Sequence, residues 1–168
     1  MERSAFPDTA ERAVGASASK LLRAAVALLS RRDFSRTGLR ERLLRRFGAA
    51  ASGSEIDCVL DRLQAEGLLC EDRFAENFIR ARAARFGPAR LRHELMRRGL
   101  SAEKIDSALK LHAQDETSAA RALWVKRFAS SPLDAREWAR QARFLSARGF
   151  SHEVIRRVLR EREGSPSA

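Results

Sequence analysis

Apolar residues recur along most of the chain at intervals of three and four, the spacing that places them on one face of an α-helix. Ile105 and Leu109 are four residues apart, and so are Ile155 and Leu159. No stretch alternates apolar and polar residues for long enough to predict a β-strand. The pattern therefore predicts an all-α protein.

The sequence also contains an internal repeat. Residues 95–109 align without gaps on residues 145–159 at a constant offset of 50, and seven of the fifteen positions are identical. A looser third copy begins at Leu43 and runs through Ile56. Because helical repeat units bury their apolar faces only against neighbours, we predict three tandem three-helix repeats stacked into an elongated, curved, solenoid-like molecule. Small-angle X-ray scattering should then give a radius of gyration above the roughly 15 Å of a compact chain of this length.

Changes in composition divide the chain into repeats and tails. We expect a disordered N-terminal tail over residues 1–20 and a frayed C-terminal tail over residues 163–168, because chain ends are poorly ordered unless they are tied down. The three helical repeats between these tails are predicted over residues 21–70, 71–115 and 116–162.

Capping residues predict where individual helices begin and end. Ser35 is typical of an N-cap, Pro88 suits a first helical turn because its missing donor is harmless there, and Asp134 with Glu137 forms a capping-box pattern. Outside the repeated segments, these signals predict helices over residues 21–32, 36–47, 73–86, 89–98 and 116–128.

Four residues of the repeated segment have an expected structural role. Gly99 and Gly149 follow helical runs, at a position that often adopts the left-handed conformation that glycine tolerates. Ser101 and Ser151 come next and are expected to be N-caps. The repeated segment is therefore predicted to be a helix, a stop and a second helix.

Net charge adds a candidate partner to this picture. The chain carries 33 Lys and Arg against 22 Asp and Glu, for a formal net charge of +11, and all but four of the basic residues are arginines. Planar guanidinium groups suit both carboxylates and phosphates. The excess is +3 over residues 21–70, +3 over 71–115 and +5 over 116–168, so it is spread through the folded part and favours a negatively charged partner.

Enzyme, metal and membrane signatures are missing from the sequence. His93 and His152 each begin an HExxH pattern, but the second histidine is replaced by arginine, and no phosphate-binding loop is found. Cys58 and Cys70 form no CxxC pair and are expected to be buried. The longest apolar run is far shorter than the roughly 20 residues of a membrane span. We therefore predict a cytoplasmic protein with no enzymatic activity, cofactor or metal.

Aromatic residues are expected in the core. Phe74 with Phe78 and Trp124 with Phe128 are four apart, and Trp138 is seven residues before Leu145. Such spacing indicates buried helix faces more often than the exposed rings on which bases stack.

Basic residues divide into structural and surface candidates. Arg82 lies four residues past Phe78, near the predicted buried side, where an arginine usually has a carboxylate partner. Other basic residues fall away from the apolar stripes and are candidates for contact with a negatively charged partner, although a solvated face with i,i+4 ion pairs would show the same pattern. These candidates are Arg80, Arg90, Arg97, Lys126, Arg127, Arg140 and Arg143.

Several segments together resemble a known family. Residues 67–82 (GLLCEDRFAENFIRAR) and 86–100 (FGPARLRHELMRRGL) strongly resemble the RecX family, which regulates the RecA recombinase. Residues 27–35 (ALLSRRDFS) and 143–150 (RFLSARGF) extend the resemblance. It covers residues 21–162, nearly the whole predicted ordered chain.

The resemblance implies both a fold and a function. RecX-family proteins consist of three tandem three-helix units, bind along RecA filaments on single-stranded DNA and inhibit their growth, strand exchange, ATPase and SOS co-protease activities. We therefore expect a monomeric regulator whose partners are a RecA-type recombinase filament and, mainly through it, single-stranded DNA. The alternative is a helical protein that binds DNA or RNA directly through its basic surface.

Two positions depart from the family pattern. Cys70 with Glu71 replaces the paired acids usual between the first two repeats, and Gly38 replaces a Glu that would complete a capping box with Ser35. The second change is expected to weaken one helix start by up to about 1 kcal/mol.

Overall fold

The computed structural model of this chain describes residues 8–48, 50–111, 116–128 and 130–160, with side chains from residue 18 onward. All regular secondary structure in these residues is helical, which confirms the predicted all-α class. The chain divides into two compact units, Met1–Phe74 and Ala75–Ala168.

The first unit contains three helices: α1 over Asp8–Leu29, α2 over Arg36–Phe47 and α3 over Gly53–Ala65. Their apolar faces form one core, because leucine and isoleucine recur at helical spacing on each helix. The fully buried large side chains of this core are Leu21, Leu39, Leu43, Ile56, Leu60 and Leu63.

The first helix begins earlier than expected. α1 starts at Asp8, within the segment 1–20 that was predicted as a disordered tail. Residues 8–20 are rich in alanine, the strongest helix former, and carry Asp8 and Glu11 near the start, where the helix dipole favours acids. Residues 1–7 of that predicted tail, and the predicted C-terminal tail over residues 163–168, lie outside the described residues.

Side-chain caps define the starts of α2 and α3. Ser35 caps α2 as predicted, and its Oγ accepts a hydrogen bond from the Gly38 backbone N–H at 3.1 Å. Ser52 caps α3 in a complete capping box, since Glu55 donates its backbone N–H to Ser52 Oγ and its carboxylate accepts from Ser52 N–H. This second cap was not predicted.

The second unit begins within α4, which covers Glu71–Arg80, and holds the second and third repeats. It continues with five helices: α5 over Pro88–Met96, α6 over Ala102–Leu111, α7 over Glu116–Arg127, α8 over Ala135–Ser146 and α9 over His152–Arg160. α4 is shorter than the predicted helix over residues 73–86, because residues 81–85 form successive turns ahead of Pro88.

The two repeated turns have the same geometry. Gly99 and Gly149 have φ angles of 82° and 83°, the left-handed conformation expected after a helix end. After α5, Gly99 N–H donates to Met96 O and Leu100 N–H donates to Leu95 O, the paired hydrogen bonds of a Schellman motif. Ser101 Oγ and Ser151 Oγ then accept from backbone N–H groups three residues later, each at 3.4 Å.

A backbone contact joins the second and third repeats inside this unit. Gly87 N–H donates to Arg148 O at 2.9 Å, and Ala89 N–H donates to Gly149 O at 3.2 Å. Backbone N–H groups at the start of α5, which have no acceptor within their own helix, thus donate to carbonyls that follow α8. A Cβ on Gly87 would lie 2.3 Å from Gly149 O, and a Cβ on Gly149 would lie 2.4 Å from Arg90 N, so this joint requires glycine at both positions.

Three burial predictions are wrong. Cys58 is exposed and Cys70 is only partly buried, because the core positions of α3 are Ile56, Val59, Leu60 and Leu63 and Cys58 lies off that face. Trp138 is exposed as well. It lies in the first turn of α8, whose buried residues, Gln141 and Leu145, lie further along the helix.

Candidate partner-binding surface

All seven basic candidates lie in the second unit, and all are exposed. Arg80 ends α4, Arg90 is on α5 and Arg97 follows it, while the other four lie on α7 and α8. The structure therefore brings the candidates into one compact unit, although they come from two different repeats.

Four of these residues contact other parts of the protein. Arg80 donates to Asn77 Oδ1 at 3.2 Å, and Arg140 donates to Glu137 Oε1 at 3.4 Å. The Arg127 guanidinium lies 5.4 Å from the centre of the Phe128 ring. Arg90 has the most extensive contacts, because it also donates to Ala147 O at 3.3 Å and stacks over Phe86 at 4.4 Å. Its side chain thus helps hold α5 against the end of α8.

The remaining three candidates are available to an external partner. Arg97, Lys126 and Arg143 are exposed and have no ion pair among the described residues. A guanidinium or ammonium group without an internal acid loses no existing interaction when it meets a phosphate or carboxylate. These three side chains are the best candidates for direct contact.

A cluster of arginines surrounds Glu94. Its Oε2 lies 4.0 Å from Arg82 Nε and 3.8 Å from Arg98 Nη1, and its Oε1 lies 3.5 Å from Arg90 Nε. Arg82 and Arg98 also stack on the Phe78 ring, at 4.0 Å and 4.5 Å from its centre. Arg82 therefore has the carboxylate partner expected for it, but it shares that partner with two other arginines.

Sequence reasoning missed Arg98 as a member of this cluster. Arg98 also donates from Nη1 to Glu94 O at 2.8 Å. Its counterpart at the repeat offset, Arg148, makes the same bond to Phe144 O at 3.1 Å and stacks on the Phe144 ring at 3.7 Å. The identity of residues 98 and 148 in the repeat was the signal that could have marked both arginines as structurally equivalent.

A second missed contact joins two of the family-like segments in the first unit. Arg73 donates from Nε to Asp33 Oδ1 at 2.7 Å and from Nη2 to Leu68 O at 2.9 Å. The hydrogen bond that Arg73 donates to Asp33 raises the pKa of Arg73 above its ordinary value. Two residues forty positions apart therefore connect the α1–α2 loop to the start of α4.

An apolar pocket of about 450 Å³ lies in the second unit. Its lining includes Ile79, Leu91 and Phe150, with Arg80 among the polar lining residues. Glu116 also lines it, but its carboxylate already accepts a hydrogen bond from Ser151 N–H at 2.7 Å. Arg80 is thus a basic residue of the pocket lining whose side chain is exposed to solvent.

Two further features bear on chemistry. Within the described part of the chain, no group of three or more His, Cys, Asp and Glu side chains could hold a metal ion. No helix in that part is both long and apolar enough to cross a membrane.

Fold and surface together define the class of the molecule: a protein of tandem three-helix domains whose exposed helix faces are rich in arginine. Residues 71–109 match the family model of the second three-helix domain of RecX, and residues 114–159 match that of the third. The chain belongs to the RecX family of regulatory proteins.

Relatives and solved structures agree with this membership. The regulatory protein RecX of Leptothrix cholodnii is 46% identical over 136 residues, which cover 81% of this chain and 85% of the relative. That of Pseudomonas savastanoi pv. phaseolicola is 44% identical over 144 residues, covering 84% and 91%. The crystal structure of RecX from Lactobacillus salivarius has a TM-score of 0.74 at 19% identity and covers 86% of this chain and 96% of that one. This similarity confirms the fold, and the matches to two three-helix domain models confirm the predicted repeats.

Proposed function

We propose that this protein binds RecA-type recombinase filaments on single-stranded DNA and inhibits their growth and activity, including strand exchange, ATPase activity and SOS co-protease activity. Membership in the RecX family is the observation that carries this proposal. Single-stranded DNA is reached mainly through the filament, and the protein acts as a non-catalytic monomer in the cytoplasm.

The charged surface supports a filament as the partner. Arg97, Lys126 and Arg143 are exposed and have no ion pair among the described residues, so they are available to acidic side chains and phosphates alike. A filament presents both groups repeatedly along its length. Contacts with several protomers would add through effective concentration, so affinity for a filament would exceed affinity for a free subunit.

Co-sedimentation with recombinase tests this proposal directly. The protein is mixed either with filaments assembled on single-stranded DNA or with free recombinase, and the bound fraction is measured at equal protomer concentration. We expect binding to the filament to be much tighter than binding to free recombinase. Equal affinity for the two forms would contradict the proposal.

A charge-reversal scan identifies the residues that carry the binding. Arg97→Glu, Lys126→Glu and Arg143→Glu should each weaken inhibition of the recombinase ATPase on single-stranded DNA. Arg156→Glu is the matched control, because Arg156 is exposed on α9 and lies outside the candidate set. If the three candidate variants inhibit like the parent protein and the control, these residues do not form the binding surface.

Direct binding to nucleic acid is the second candidate function, and the same three unpaired cations favour it. A protein that contacts several phosphates loses affinity steeply with salt, with a slope of about 0.7 per phosphate neutralised on a single strand. Helices such as α6 are short and sparsely basic, which makes them poor readers of base edges. A steep slope and tight binding on naked DNA, with no preference for filaments, would favour this candidate.

A further inference from the structure

The charges around Glu94 are unbalanced, because more arginines contact it than one carboxylate can neutralise. Three guanidinium groups, those of Arg82, Arg90 and Arg98, approach its two oxygens at 3.5–4.0 Å. One negative charge therefore faces three positive charges. The cluster keeps a net positive charge of two even when every internal contact is made.

Aromatic rings hold these arginines in place. Arg82 and Arg98 both stack on the Phe78 ring, and Arg90 stacks on the Phe86 ring. Stacking engages the flat face of a guanidinium and leaves its in-plane N–H donors directed outward. Arg90 Nη1 and Arg98 Nη1 already donate to backbone carbonyls. The remaining donors are held in place before any ligand arrives, which lowers the ordering cost of binding.

None of the ion pairs with Glu94 is short. Strong pairs between guanidinium and carboxylate have N–O distances of about 2.7–2.9 Å, and all three distances here are longer. The three arginine side chains are 38–46% exposed, whereas Glu94 is 24% exposed. A ligand from solvent can therefore reach the guanidinium groups without crossing the core.

The third repeat has a related arrangement without the acid. At the offset of 50, Arg90, Glu94 and Arg98 correspond to Arg140, Phe144 and Arg148. Arg140 stacks on Phe128 at 5.6 Å, and Arg148 stacks on Phe144 at 3.7 Å. Stacked arginines thus occur in both repeats, and the carboxylate at residue 94 is particular to the second.

We propose that Arg82, Arg90 and Arg98 form a phosphodiester-binding site in which Glu94 acts as an internal competitor that the phosphate displaces. The ligand is the backbone of single-stranded nucleic acid. Three arginines with a residual positive charge suit a phosphate, which accepts several N–H donors at once. Because Glu94 must leave, the strand binds more weakly than three arginines alone would allow, and binding is readily reversed.

This inference deepens the proposed function and rests on it for the source of the strand, which is the DNA inside the filament. Its test uses naked DNA and no recombinase. Failure of filament binding and failure of the phosphate site are therefore separate results.

Glu94→Gln tests the competitor role. Glutamine keeps the shape and a hydrogen-bond acceptor but removes the charge, so binding of a fluorescent oligothymidine strand should tighten by about two- to fivefold. Glu153→Gln is the matched control: it removes the same charge from the same unit, but Glu153 pairs with a single arginine, Arg157, at 3.0 Å. Its affinity should stay within about 1.5-fold of the parent.

The outcomes separate the possible roles of Glu94. Equal tightening in the two variants would show a general charge effect, and weaker binding by Glu94→Gln would show that Glu94 only positions the arginines. Tightening toward polyglutamate but not toward oligothymidine would identify a carboxylate partner instead. Each of these results overturns the proposal.

A measurement on the unaltered protein keeps the proposal testable if Glu94→Gln fails to fold. The side-chain Nε–H resonances of Arg82, Arg90 and Arg98 are followed by NMR during titration with oligothymidine. All three should shift together with the same apparent affinity. Unchanged resonances at saturating strand would overturn the proposal.

Discussion

Glu71 compensates for an unfavourable residue at the start of α2. Gly38 occupies the position where a glutamate would complete the capping box of Ser35, and the first turn of α2 has no acid of its own. Glu71 supplies one from a distant part of the chain, because its Oε1 accepts the Arg36 backbone N–H at 3.3 Å. The expected weakness of this helix start is therefore offset by an acid that follows Cys70, at the other departure from the family pattern.

A glutamate placed at residue 38 should replace most of the stabilisation that Glu71 gives to the start of α2. Glu71→Gln should lower the free energy of unfolding by about 1 kcal/mol, because the Arg36 backbone N–H at the start of α2 loses its carboxylate acceptor. Adding Gly38→Glu should restore most of that loss, whereas adding Gly38→Ala should restore only the part due to helix propensity. Urea unfolding of these three variants and of Gly38→Glu alone measures this. Equal gains from Gly38→Glu with and without Glu71 would contradict a shared role.

Paired helices in the first unit are connected by charged side chains. Arg40 on α2 donates to both carboxylate oxygens of Asp57 on α3, at 2.8 Å and 3.0 Å. The hydrogen bond from Arg40 holds the pKa of Asp57 below its ordinary value, and the nearby charges of Arg40 and Arg36 act in the same direction. Because the pKa is lowered in the folded state, the pair stabilises the fold above the unfolded pKa of about 4.

That stabilisation should be lost in acid. Asp57→Asn should be less stable than the parent at pH 7, and the difference should narrow below about pH 4 as Asp57 becomes protonated in the parent. Arg40→Gln removes the other partner and should show the same narrowing. Urea unfolding between pH 7 and pH 2 measures both variants. A difference that stays constant over this range would show that the pair does not stabilise the fold.

At the scale of the whole molecule, the second and third repeats share one compact unit. The joint between Gly87 and Gly149 lies inside it, and the two backbone hydrogen bonds at 2.9 Å and 3.2 Å connect the start of α5 to the residues after α8. Arg90 adds a side-chain bond at the same place. A compact unit of two repeats therefore depends on two residues without side chains.

Replacing Gly149 by alanine should lower the free energy of unfolding far more than replacing Gly67, a left-handed glycine outside this joint. Gly67 has a φ of 70° but open space around an added Cβ, so Gly67→Ala should cost only the backbone strain of about 1–2 kcal/mol. Gly149→Ala adds a clash with the Arg90 backbone and should cost at least about 2 kcal/mol more.

Tryptophan fluorescence during urea unfolding reports on the second unit, since both tryptophans, Trp124 and Trp138, lie there. Far-ultraviolet circular dichroism reports on all helices and measures Gly67→Ala in the first unit. A cost of Gly149→Ala no larger than that of Gly67→Ala would contradict the close approach of the two repeats.

Local interactions explain why so much of the fold could be predicted from the sequence. Helical periodicity, the caps at Ser35, Ser101 and Ser151, and the left-handed turns at Gly99 and Gly149 depend on residues within one or two helical turns. The all-α class and the three-helix repeats follow from these signals, whereas the family resemblance rests on longer runs of residues such as 67–82 and 86–100. The early start of α1 at Asp8 was missed because alanine-rich residues without leucine have no apolar stripe to detect.

Only the tertiary structure decided which charged groups meet. The Arg73–Asp33 pair, the Arg82–Glu94 contact and the Gly87–Gly149 joint connect residues 40, 12 and 62 positions apart, and no local rule relates such positions. The sequence by itself determined the helices, the repeats and an excess of arginine. Packing determined which arginines stabilise the fold and which remain available to a partner, because an arginine's role depends on the acids and rings that surround it in space.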